Sequence, residues 1–119
     1  MLVKKILIVE DDNAINDAFK MLLTSKGYEV DDARNGKEAL AFTKDNHYDL
    51  ILLDLLMPIM DGREFLKQFT GSKKTKIIVL SNFDTQSEIE EVYDLGAEKY
   101  FLKSWVGPKR LVSIVESYL

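Results

Sequence analysis

Cysteine is absent from this chain of 119 residues, so disulfides, thiolate metal sites and thiol nucleophiles are excluded. Histidine occurs once, as His47. With neither thiolates nor an imidazole cluster, zinc, copper and iron–sulfur chemistry have no ligand set. An excess of positive charge is missing too: the net charge is −4 and the sequence pI near 5.0. Nucleic acid and anionic lipid surfaces call for a basic patch. The one basic cluster, Lys73, Lys74 and Lys76, reads as a solvated loop. Long apolar runs are also lacking. Ile6 to Val9 is too short for a secretory signal, and nothing approaches the length of a membrane span. These absences lead us to expect a cytoplasmic protein with no direct nucleic-acid binding and no membrane association.

What is present is alternation. Ile6–Val9 is a short β-rich run. Ile15, Ala18, Phe19, Leu22 and Leu23 follow at helical spacing and stop at Gly27. Tyr28–Ala33 reads as a weak strand, Asn35-Gly36 as a break, and Glu38–Asn46 as a helix. Asp49–Asp54 is apolar at every interior position, the mark of a strand covered on both faces. Phe65, Leu66 and Phe69 form the next helical stripe, and Lys76–Leu80 is another fully apolar strand core. Thr85 with Glu88 suits a capping box ahead of Ile89, Val92 and Leu95. Lys99–Leu102 is a fifth strand, and Pro108 opens a fifth helix through Leu111, Val112 and Val115. Five strands alternating with five helices predict one α/β domain over residues 1–119, with no output domain in the chain. The expected architecture is flavodoxin-like and doubly wound, (βα)5, with a parallel sheet in the order 2-1-3-4-5.

Ligands of such sheets bind beyond the carboxyl ends of the strands, near the point where strand order reverses. The predicted exits carry Glu10-Asp11-Asp12, Asp54, Ser81-Asn82 and Lys103. Several carboxylates on one rim repel one another unless a cation joins them. Asp54 stands among apolar neighbours, where a bare charge is costly. A few oxygen ligands suit Mg²⁺. A metal, a carboxylate, a hydroxyl and a lysine together suit phosphoryl transfer, in which positioning and charge neutralisation dominate. Each residue also has a plainer reading: Asp11-Asp12 as a turn, with Asp12 or Asn13 capping the first helix; Ser81 as a turn serine; Lys103 as a surface lysine. Their gathering at four strand exits favours the functional reading.

The stretch Asp54-Leu55-Leu56-Met57-Pro58-Ile59-Met60-Asp61-Gly62, with Val9-Glu10-Asp11-Asp12, Leu80-Ser81 and Lys103, resembles the response-regulator receiver domains of two-component signalling, the chemotaxis-regulator type included. The resemblance covers essentially the whole chain. It implies a phosphorylation-activated switch rather than a turnover enzyme, with Asp54 as phosphoacceptor. Asp12 would be a direct Mg²⁺ ligand (Mn²⁺ substituting), Asp11 would act largely through water, and the Leu56 backbone carbonyl would be a further ligand. Ser81 and Lys103 would contact the phosphoryl oxygens, and Tyr100 would be an aromatic switch, although a plain core role suits Tyr100 too. Implied partners are a sensor histidine kinase or histidine phosphotransfer protein and a downstream protein target or separate output domain. The face of helix four, strand five and helix five would carry the output, and a homodimer through that face would match some relatives.

The chain departs from the family at several positions. Ser104 follows Lys103 where proline is common, and Asn82 follows Ser81 where a small residue is common. Leu56 and Phe83 occupy positions that tune hydrolysis, and neither can orient a water, so slow self-dephosphorylation is expected. Trp105 is read either as a packing anchor or as a partner contact. A haloacid-dehalogenase-type phosphatase would need an aspartate where Leu56 stands, and a flavin site would need a Ser/Thr/Gly-rich loop where Asp11-Asp12 stand. A receiver-like module that is never phosphorylated would have no use for the intact acceptor and lysine.

Overall fold

The computed structural model describes residues 2–82 and 85–119. The strands are β1 (Lys5–Val9), β2 (Glu29–Ala33), β3 (Leu50–Asp54), β4 (Lys76–Ser81) and β5 (Lys99–Leu102). The helices are α1 (Asn13–Ser25), α2 (Gly36–Asp45), α3 (Gly62–Gln68), α4 (Gln86–Asp94) and α5 (Pro108–Tyr118), with a 3-10 turn at Lys103–Trp105. All strand pairings are parallel and the order is β2-β1-β3-β4-β5, as the alternation predicts.

Period-two alternation along the central strands divides the core in two. Leu7, Val9, Ile51, Leu53, Ile77 and Val79 meet Ala39, Phe65, Leu66 and Val92 on the face covered by α2, α3 and α4. Ile6, Ile8, Leu50, Leu52, Ile78 and Leu80 meet Leu23, Leu111, Ile114 and Val115 on the face covered by α1 and α5. Every residue of β3 is buried, which is why its sequence is apolar without a gap until Asp54. The predicted bounds move by a residue or two at the ends. The second helix starts at Gly36 rather than Glu38, because the Asn35 carboxamide accepts the Glu38 N–H at 2.9 Å and caps it.

Two details bring the strand exits together. In the order 2-1-3-4-5 the chain leaves β1 toward one edge of the sheet and β3 toward the other, which opens a crevice between their ends. Gly62 then lets α3 begin against the end of β3: a Cβ there would lie 2.5 Å from the Asp54 carbonyl oxygen and 2.9 Å from the Leu55 Cα.

Candidate functional site: an acidic cleft at the carboxyl end of the sheet

A cleft of about 890 Å³ opens over this crevice, lined by Glu10, Asp11, Asp12, Asp54, Leu56, Ser81, Asn82, Lys103 and Ser104 among others. β1 delivers Glu10, β3 delivers Asp54, β4 delivers Ser81, and the turn after β5 delivers Lys103. Asp54 and Ser81 are buried, at 8% and 1% exposure. The Lys103 Nζ donates to Asp54 Oδ2 at 3.2 Å and forms an ion pair with Glu10. One ammonium thus spans carboxylates from two neighbouring strands. The Leu56 N–H approaches Asp54 Oδ1 at 3.4 Å, while the Leu56 side chain is exposed.

Carboxylate oxygens of Glu10, Asp11 and Asp54 all lie within 4.8 Å of one another. Among the described residues that line the cleft, acids outnumber the one lysine, which leaves the rim short of positive charge. Burial above all, and the nearby Asp54 charge as well, raise the Glu10 pKa from 4.5 to about 7 despite the bond from Lys103. Burial would lower the Lys103 pKa, but the pull of Glu10 and Asp54 outweighs it and leaves the ammonium favoured. Oxygen donors of one sign, converging at this spacing, fit a small hard cation.

Here the geometry departs from one expectation. Asp12, predicted as a direct Mg²⁺ ligand, lies outside that triad among the described residues. It is exposed, and its Oδ1 accepts the Ile15 N–H at 3.0 Å as the N-cap of α1. Glu10 takes the place in the cluster that was expected for the second acid. The spacing held the signal: Asp12 stands three residues before Ile15, where a cap must stand, so the strand exit falls two residues earlier. A second residue that the motifs did not mark is Asn16. It is fully buried, and its Nδ2 donates to the Glu10 carbonyl at 2.9 Å, tying α1 to the end of β1.

The remaining predicted residues fall around this core. Ser81 lines the cleft, and the Tyr100 hydroxyl donates to the Ser81 carbonyl at 3.4 Å, so the two are joined. Tyr100 is half-buried on β5, and its N–H donates to the Tyr93 hydroxyl of α4 at 3.1 Å. Trp105 is 70% exposed, which removes its reading as a packing anchor. Asp61 caps α3 through the Glu64 N–H at 2.9 Å. Ile59 has φ of 68°, and the Met60 N–H closes on the Pro58 carbonyl at 2.7 Å, a γ-turn unusual for a β-branched residue. Phe83 lies outside the described residues.

Comparison with known proteins decides what this cleft belongs to. The family model described as "Response regulator receiver domain" matches residues 6–116. The chain belongs to the response regulator receiver family. A crystal structure of the Vibrio cholerae chemotaxis protein CheY4 is similar at 30% identity and a TM-score of 0.90, covering 99% of this chain and 100% of that one. The Thermotoga maritima response regulator TrrA, solved in complex with Mg²⁺-BeF, shares 33% identity at a TM-score of 0.83, over 98% of this chain and 100% of that one. The Bacillus subtilis transcriptional regulatory protein ResD is 36% identical over 115 residues, covering 97% of this chain and 48% of that protein. The chain spans about half the length of the curated relatives it matches. This receiver domain is accordingly a phosphorylation-activated switch of the two-component kind and not a turnover enzyme. Among its described residues no helix is long and apolar enough to cross a membrane.

Proposed function

We propose that residues 1–119 act as one receiver domain that takes a phosphoryl group on Asp54 from a phosphohistidine of a sensor kinase or phosphotransfer protein. The observation that carries this reading is the single Lys103 ammonium held between the buried Asp54 carboxylate and Glu10. Such an arrangement sets a nucleophile and a counter-charge on one rim. The Asp54 oxygen forms the new O–P bond while the donor's N–P bond breaks, and the imidazole leaves with that electron pair. Lys103 neutralises the charge that gathers on the phosphoryl oxygens, and the Ser81 hydroxyl donates to one of them.

Mg²⁺, or Mn²⁺ in its place, would be held by Asp11, Asp54 and the Leu56 carbonyl, with Glu10 completing the acidic set. The ion supplies positive charge that lets phosphate approach three acids. Of the two acids first expected to bind it, Asp11 keeps that role and Asp12 serves α1 instead. The added phosphate carries about −1.5 to −2 of charge. It draws Ser81 inward, and the link from the Ser81 carbonyl to the Tyr100 hydroxyl passes that movement to the face of α4, β5 and α5. A downstream protein or an output domain reads that face, or a second copy pairs through it. We place the whole exchange in the cytoplasm.

Intact mass after treatment with acetyl phosphate and Mg²⁺ tests the reading. One phosphoryl adduct is expected, and Asp54→Ala should take none. An adduct retained by Asp54→Ala would move the acceptor elsewhere. The exposed Leu56 side chain cannot orient an attacking water, so the adduct should decay slowly; loss within seconds in Mg²⁺ buffer would contradict this.

A further inference from the structure

β4 and β5 end as a ladder at the pair Ser81↔Leu102. Lys103 is the next residue, one past the last paired position. Yet the Lys103 Nζ must stay between Asp54 and Glu10, at the end of a side chain with four rotatable bonds. A side-chain bond crosses between the two strand exits. The Ser104 N–H donates to the Asn82 Oδ1 at 3.1 Å. The Lys103 carbonyl accepts the Val106 N–H at 3.0 Å and closes the 3-10 turn on the other side.

We infer that Asn82 is a positioning residue for Lys103, acting through the backbone of Ser104. The carboxamide extends the β4–β5 ladder one step past its last pair, using a side chain where the backbone has run out. Lys103 is then pinned before and after: by Leu102 in the sheet and by Ser104 in the clasp. Its ammonium swings from a fixed base, and less side-chain freedom is lost when it pairs with Asp54 or with a phosphoryl oxygen. The residue types at 82 and 104 depend on each other for this. A proline at 104 would have no N–H to give, and an alanine at 82 would have no acceptor. The two departures from the family pattern noted above are thus one device seen from its two ends.

This inference rests on the phosphoacceptor reading of Asp54, and its test separates the two. Asn82→Leu keeps the branch and bulk of the side chain and removes the acceptor, and Ser104→Ala keeps the N–H. With acetyl phosphate and saturating Mg²⁺, Asn82→Leu should slow adduct formation by about fivefold, the factor that one hydrogen bond contributes. Ser104→Ala should be slowed far less than Asn82→Leu, and Mg²⁺ affinity, followed by Trp105 fluorescence, should not track the difference between them. In a Lys103→Ala background Asn82→Leu should slow nothing further, because the residue it positions is gone. An Asn82→Leu rate equal to wild type, or an equal slowing with and without Lys103, would overturn the inference. Hydrogen exchange at the Ser104 amide of the unaltered protein is a second check that needs no variant: protection supports the clasp, and exchange at the free-chain rate removes it. A wild-type chain that takes no adduct would sink the phosphoacceptor reading instead, and the exchange would still decide the clasp.

Discussion

The two ends of the sheet bury charge in opposite ways. At the amino end Lys5 has a partner for each of its groups. Its N–H donates to Asp49 Oδ2 at 2.8 Å, and its Nζ donates to Asn46 Oδ1 at 3.0 Å and pairs with Asp31 at 3.7 Å. The ammonium also sits 5.2 Å from the centre of the Tyr48 ring, and the Tyr48 hydroxyl donates to Asp31 at 2.6 Å. The ammonium and both carboxylates are each engaged in a bond there, and the corner is spent on structure. At the carboxyl end, among the described residues, Glu10, Asp11 and Asp54 converge, and Lys103 pairs with two of them, Glu10 and Asp54. A cluster of acids that converge on open solvent responds to whatever charge arrives, and one whose groups are tied to side chains around them responds less.

Titration should break the comparison most visibly. Glu10 is raised to about 7, so its neutral form is favoured in the metal-free fold. Its contribution to stability is complete below the ordinary value of 4.5 and is lost as pH climbs through about 7. Metal-free melting temperature should therefore fall across that window, and Glu10→Gln should flatten the fall. A cation needs the proton gone, so Mg²⁺ affinity should move the other way, weakening by up to about tenfold between about pH 7 and 6. Fluorescence titration of Trp105 with Mg²⁺ at several pH values measures it, and an affinity constant over that range would remove Glu10 from the site.

The amino end should answer differently. Tyr48→Phe deletes a bond from a buried hydroxyl to a carboxylate and should cost about 1–2 kcal/mol in denaturant unfolding. Adduct formation on Asp54 should not change, since the lesion lies at the far end of β3. A slowed adduct would show that the two ends are coupled.

The smallest effect sharpens the boundary of the acidic cluster. Asp12→Ala removes a helix cap and should cost about 1 kcal/mol of stability. Mg²⁺ affinity should fall far less than in Asp11→Ala. Equal losses would restore Asp12 as a ligand.

Residue order alone determined the architecture. Uninterrupted apolar runs in β3 and β4, helical spacing between them and breaks at Gly27 and Gly96 leave a parallel doubly wound sheet as the natural solution. Asp54, Ser81 and Lys103 were legible for the same reason: Asp54 and Ser81 end strands, Lys103 directly follows one, and parallel strands present their ends on one rim. Choosing between adjacent acids was only half legible: the spacing ahead of Ile15 offered Asp12 as a cap, but nothing local said which acids would turn into the cleft. Only the packed chain sent Glu10 inward and Asp12 to the Ile15 N–H. The Asn82–Ser104 bond likewise joins residues 22 apart in sequence, across strands whose register is set by the core beneath them. Local spacing encodes periodicity and caps, whereas contacts between strand exits depend on register, which the buried side chains of the whole sheet settle together.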